Sequence, residues 1–345
     1  MTDYLDERAY QQRVVEAVNA RLASGAGSTA DRLAALLGVN RGVAYKRLQL
    51  KAYFTARELA ILQDRLDLSV SPLAAGDLSL LTFRAPFGER PGRFERERYL
   101  GLMEDAQAQI AKLDPDGVDT RISVASSDMP VFYLFARPEL AALKLYSFAL
   151  ETSKHTAKPL RLGDYLREHA RDFERTSALS RGYLALGAVE IWSRTPLDNF
   201  LRQLLNLVEL GLLPEAADVE RAFDALMGLL EDVHRMIELG ERASGQPFGV
   251  LCNEIHYTNS LILQEHPSAS VLYATFDNPH YLVSKQPQAV AYFRRHFKYL
   301  QSMATPISRL GQLSAYRYLQ LQHDRIDRAR RKARLLLGNR ALDLD

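Results

Sequence analysis

Residues 41–57 carry Arg41, Lys46, Arg47, Lys51 and Arg57 with no acid among them. An acid-free cationic run of this kind attracts phosphate, and arginine can also pair bidentately with guanine, while tyrosine and lysine more often position a duplex. A second run, residues 325–340, holds Arg325, Arg328, Arg330, Arg331, Lys332, Arg334 and Arg340 against Asp327 alone. It has two readings. One is a further contact to a DNA backbone; the other is a solvated helix end, where cations suit the dipole.

The rest of the chain offers weaker chemistry. Asp128, Glu190, Asp198, Asn253, Glu254 and Asn259 are polar residues embedded in apolar sequence. Of these, Asp128, Glu190, Asn253, Glu254 and Asn259 are the candidate lining of a ligand pocket, because a few convergent polar groups in an apolar cleft are what such a site needs. The competing reading makes them capping and turn residues, as with Asp198 at a helix start after Pro196. Cys252 and His256 stand four apart, but in a segment that reads as a strand, and a lone cysteine among apolar neighbours is usually a small buried hydrophobe. The eight histidines are scattered, no His pair with glutamate at helical spacing occurs, and no phosphate-binding glycine loop is present. The expectation is therefore no metal, no cofactor and no catalysis.

These groups must be positioned by elements. With 345 residues, two domains are the default. Hydrophobic residues make up 47% and charged ones 25%, so long disordered stretches are not expected. A net charge of +2 excludes a bulk polycation and makes any nucleic-acid contact local. No apolar run is long enough to span a membrane, the acidic start does not read as a signal peptide, and one cysteine excludes an internal disulfide. A cytoplasmic protein without membrane contact is expected.

Apolar spacing predicts helices over 9–22, from Ser28 or Thr29 to Gly38, over 41–48, and from a Thr55 cap with Glu58 at the capping-box position to 66. Residues 69–76 read as a linker. Beyond it, strands are expected at 78–83 and 121–125, helices at 93–113 and 138–150, and nearly continuous helix over 160–240. Short strands at 250–255, 261–264, 271–276 and 281–284 predict a small sheet, followed by helices at 287–303 and 310–337.

Within the first part, Ala34 supplies a small residue inside one helix and Gly38 a turn position tolerant of positive φ. Leu33, Leu37, Val39 and Leu48 supply the apolar lock. That is the requirement of a helix-turn-helix. The second helix would present Asn40, Arg41, Tyr45, Lys46, Arg47 and Lys51 to double-stranded DNA.

The runs Leu36-Leu37-Gly38-Val39-Asn40 and Val43-Ala44-Tyr45-Lys46-Arg47-Leu48 resemble a family of bacterial helix-turn-helix regulators related to the phage-repressor-like group. Further segments look similar to the same family: Asp128-Met129-Pro130-Val131-Phe132-Tyr133 with Phe135, residues 138–144, Glu190-Ile191-Trp192-Ser193 with Leu197-Asp198-Asn199, and Asn253-Glu254 with Asn259. The resemblance implies a DNA-binding regulator. This chain departs from the family where a Gly-Glu pair tends to follow the recognition helix: Leu50-Lys51 stands there instead.

The sequence thus predicts a mainly α (α+β) protein with two parts: a helix-turn-helix domain over residues 1–72, and a helix-rich domain with a small β-sheet over 77–345. The larger part is expected to dimerise and to meet a small-molecule or protein effector. The rival expectation is an adaptor whose small domain docks protein instead of DNA.

Overall fold

The computed structural model describes residues 7–23, 26–66, 68, 81, 83–85, 94–114, 116–152, 158–253, 260–277, 280–307 and 312–342. The expected linker at 69–76 and most of the expected strand at 78–83 lie outside them. Two compact units are present, Met1–Arg84 with Ser284–Phe293 and Ala85–Val283 with Arg294–Asp345. No helix among the described residues is long and apolar enough to cross a membrane.

Four helices build the first unit: α1 (Glu7–Arg21), α2 (Thr29–Leu37), α3 (Arg41–Leu48) and α4 (Ala56–Leu66). Val14, Val18, Leu33, Ala44 and Leu62 are fully buried at its centre. Ser28 caps α2 in a reciprocal box with Asp31, and Ser28 Oγ lowers the Asp31 carboxyl below its ordinary range. Thr55 and Glu58 form the same box at α4: Thr55 N–H donates to Glu58 Oε2 at 2.7 Å and Glu58 N–H to Thr55 Oγ1 at 3.2 Å. Gly38 ends α2 at φ +67°, in the left-handed region that a Cβ would oppose.

The chain leaves α3 through Leu50 at φ +57°. Leu50 N–H donates to Arg47 O and Lys51 N–H to Lys46 O, the bond pair of a Schellman turn. So the departure at Leu50-Lys51 keeps the turn that glycine would favour, at a cost of roughly 1–2 kcal/mol for a left-handed residue with a Cβ. Part of that cost is offset because the Leu50 side chain packs on the helical core.

The second unit overturns the expected small sheet. Its sheet has seven strands in the order β6-β5-β4-β1-β2-β3-β7. They are β1 (Arg121–Ser126), β2 (Gly187–Trp192), β3 (Phe248–Cys252), β4 (Leu261–His266), β5 (Ala269–Asp277), β6 (His280–Ser284) and β7 (Thr305–Ile307). β1, β2 and β3 run parallel, whereas β4 pairs antiparallel with β1, and β7 with β3. Gly187–Trp192 lies inside the stretch expected to be helical. Its neighbours along the sheet and on both faces leave Ala188, Glu190, Ile191 and Trp192 buried, and a strand covered on both faces shows no alternation to read. The three-residue β7 contains Pro306, which suits an edge strand and hides it from propensity.

Nine further helices are present among the described residues: α5 (Arg96–Leu113), α6 (Val131–Leu134), α7 (Pro138–Thr152), α8 (Leu162–Glu168), α9 (Ala170–Leu184), α10 (Asp198–Glu209), α11 (Ala216–Leu239), α12 (Pro287–Ser302) and α13 (Gln312–Leu342). Three cations of the basic run on α13 are paired within the fold. Arg325 forks onto Asp198, and Arg330 and Arg334 both bind Glu220. Arg328, Arg331 and Lys332 stay exposed.

Hydrogen bonds from Arg334, with Arg330 adding to them against the cost of desolvation, bring the Glu220 carboxyl down to about 2. A depressed folded-state pKa stabilises above the unfolded value and loses that contribution as pH falls towards the folded one. Glu220→Gln is therefore expected to be less stable than wild type near pH 6. Urea unfolding should show the gap closing between about pH 4.5 and 2, whereas a constant gap would mean that the pair contributes nothing through its charge.

Candidate nucleic-acid interface

Helix α3 begins at Asn40, whose Oδ1 accepts from Val43 N–H at 2.9 Å. Asn40 thus serves as the N-cap, with its side-chain oxygen committed to its own helix. Ala44 is fully buried and Val43, Arg47 and Leu48 are half-buried, so this side of α3 faces the helical core. The opposite side carries Arg41, Gly42, Tyr45, Lys46 and Gln49, all exposed, and the turn adds Lys51 and Tyr53. Tyr45 shows 52% of its surface and Tyr53 54%.

Arg47 stands apart from the other cations. Its Nε lies 3.1 Å from Glu58 Oε2 and its Nη2 3.4 Å from Glu58 Oε1, with 15% and 8% of the two side chains exposed. Arg47 locks α3 to the start of α4, since Glu58 is also the α4 capping residue. Arg41 is 70% exposed and pairs with Asp31, Nε to Oδ1 at 3.1 Å, on the surface of α2. An exposed pair of this type is worth little, so the guanidinium can exchange partners readily.

One residue that pattern reading passed over organises the exit from α3. Gln11 of α1 is buried at 3% exposure. Its Nε2 donates to Ala52 O at 3.2 Å and Arg47 O at 3.4 Å, and its Oε1 accepts from Phe54 N–H at 3.1 Å. A glutamine among the Val14, Val15 and Val18 face of an amphipathic helix is the only mark it leaves in the sequence. Gln49 and Tyr53 were likewise missed; both flank the turn and neither adds charge.

Three of the five expected ligand residues, Asp128, Glu190 and Asn253, are described, and they do not line one cavity together. Glu190 lies on β2, fully buried, two residues from Trp192 on the same face. Glu190 Oε1 accepts from Tyr133 OH at 2.9 Å, Tyr183 OH at 2.8 Å and Arg242 Nη2 at 2.5 Å, and Oε2 from Trp192 Nε1 at 2.8 Å. Arg242 Nη1 also donates to Tyr133 OH at 2.7 Å, and its guanidinium sits 4.1 Å from the Phe248 ring centre. Burial pushes both tyrosines well above their ordinary pKa. This carboxylate is occupied by protein and has a scaffold role.

Asn253 is buried, with its backbone N–H on Trp192 O. Glu254 and Asn259 lie outside the described residues, as does His256. Cys252 is half-buried on β3. Asp128 borders a cavity, which opens beyond the end of β1. No family model matches this chain, and no curated protein matches it.

Proposed function

We propose that this protein is a sequence-specific, DNA-binding transcriptional regulator of the cytoplasm, which reads a two-fold symmetric site as a homodimer. The observation that supports this most directly is the outward face of α3. Arg41, Tyr45 and Lys46 share it with Gly42, which has no side chain to hold a groove at a distance, and Lys51 extends it. The buried partners of the same helix, Ala44 and the Arg47–Glu58 pair, keep it rigid, and rigidity reduces what binding must spend on ordering. Arg41 suits bidentate contact with guanine, and Lys46, Lys51 and Tyr45 suit phosphate and sugar. Two such helices one duplex turn apart would multiply a weak half-site interaction.

The exposed Tyr45 and Tyr53 favour a second reading, in which the same face docks a protein. Selection of pooled genomic fragments by the full chain across a salt series separates the two. A regulator is expected to enrich a palindromic site and to lose affinity steeply with salt. Failure to enrich any fragment at low salt, together with capture of a protein whose binding salt barely alters, would replace the regulator by the adaptor.

A further inference from the structure

The chain leaves β1 for β2 on one side and then moves outward to β3, but it returns to the other side of β1 to form β4. β4 pairs antiparallel with β1, so the carboxyl end of β1 lies beside the start of β4. A cavity of about 280 Å³ lies there, bounded by Ser126 at the end of β1, Asp128 after it, Ser260 before β4, Thr275 on β5 and Tyr281 on β6. Met129, Leu134, Phe148 and Phe200 form part of its walls, and Lys144 lines it as well.

The polar groups around it are unequally committed. Ser126 Oγ and Ser260 Oγ bond each other at 2.5 Å, continuing the β1–β4 register by one pair. Thr275 Oγ1 accepts from Ser260 N–H. Lys144 Nζ is held by Gln203 Oε1 at 3.0 Å and lies 4.7 Å from the Phe148 ring centre. Asp128 differs. Both its oxygens lie 2.8 Å from the one amide nitrogen of Asn199, and among the described residues no lysine, arginine or histidine lies within ion-pair distance of it. The Tyr281 hydroxyl has no hydrogen-bond partner among the described residues. Burial, with the Asp128 charge adding, pushes its phenol up to about 12, so it stays a neutral donor and acceptor.

We propose that this cavity binds a small organic ammonium ion, its charged head on Asp128 and Tyr281 and its apolar body against Met129, Phe148 and Phe200. A carboxylate with no ion-pair partner among the described residues, in a cavity partly walled by apolar side chains, is matched by a cation that brings its own hydrophobic surface. An anion would be repelled by Asp128, and Lys144, which lines the same cavity, is already held by Gln203 and the Phe148 ring. The inference does not rest on the DNA reading, because binding is measured without DNA.

The test screens the full chain by ligand-observed NMR against fragments that share one set of aromatic and aliphatic bodies but carry ammonium, carboxylate or uncharged amide heads. Saturable binding is expected for ammonium heads alone. Asp128→Asn, which keeps the shape and can still meet Asn199, should weaken it by about ten- to a hundredfold. Tyr281→Phe gives an independent reading if Asp128→Asn proves unstable, with a smaller loss expected and thermal unfolding unchanged. The proposal is overturned if carboxylate or amide heads bind as well as ammonium, if no ammonium compound saturates at millimolar concentration, or if both variants bind like wild type.

Discussion

Arg242→Ala is expected to lower the unfolding free energy of the α/β unit by about 3–5 kcal/mol, the range for removing one partner of a buried ion pair. The reason is geometric. Arg242 is 2% exposed and Glu190 is fully buried, so a Glu190 carboxylate left alone has no route to water. Two tyrosine hydroxyls and the indole would still bond it, but they carry no compensating charge. Urea unfolding followed by Trp192 fluorescence is the measurement, because that indole sits on the carboxylate itself. The double variant Arg242→Met/Glu190→Gln should recover much of the loss, since removing both charges also removes the desolvation penalty. A loss under about 1 kcal/mol for Arg242→Ala would mean that water reaches the pair and that its burial is only nominal.

The second large effect concerns α3. Arg41→Ala/Lys46→Ala/Lys51→Ala should reduce DNA affinity by about 10²-fold at physiological salt and flatten the salt dependence by about 2–3 in log–log slope per protomer. These three cations are exposed and none lies in the helical core, so the fold should survive and thermal unfolding should move little. Arg47→Ala is the contrasting variant. It breaks the contact with Glu58, and its loss of binding should come with a lowered melting temperature. An unchanged salt slope in the triple variant would remove α3 from the interface, however well the protein still bound DNA.

The helical unit was largely legible because its information is local. Ser28, Thr55 and Glu58 announce helix starts through bonds to residues three away, and Gly38 ends a helix by tolerating a positive φ. The cations of α3 were also visible as a run. That Arg47 is drawn inward was not, because its partner Glu58 is brought near by the placement of α4 beside α3. The same holds for Glu190: its polar character in apolar sequence marked it as unusual, but Tyr133 comes from α6, Tyr183 from α9 and Arg242 from the loop after α11.

By itself, then, the sequence determined the four helices of the first unit, most strand and helix positions of the second, and the local excess of positive charge on α3. Tertiary structure alone decided that seven strands join in one mixed sheet, that Arg325, Arg330 and Arg334 of α13 pair with Asp198 and Glu220, and that Asp128 borders a cavity while Glu190 is bonded by Arg242, Tyr133, Tyr183 and Trp192. The physical reason is range. Caps, turns and amphipathic faces act within a few residues, whereas sheet order and the pairing of buried charges depend on contacts between segments far apart in the chain, which leave no periodic trace in either segment.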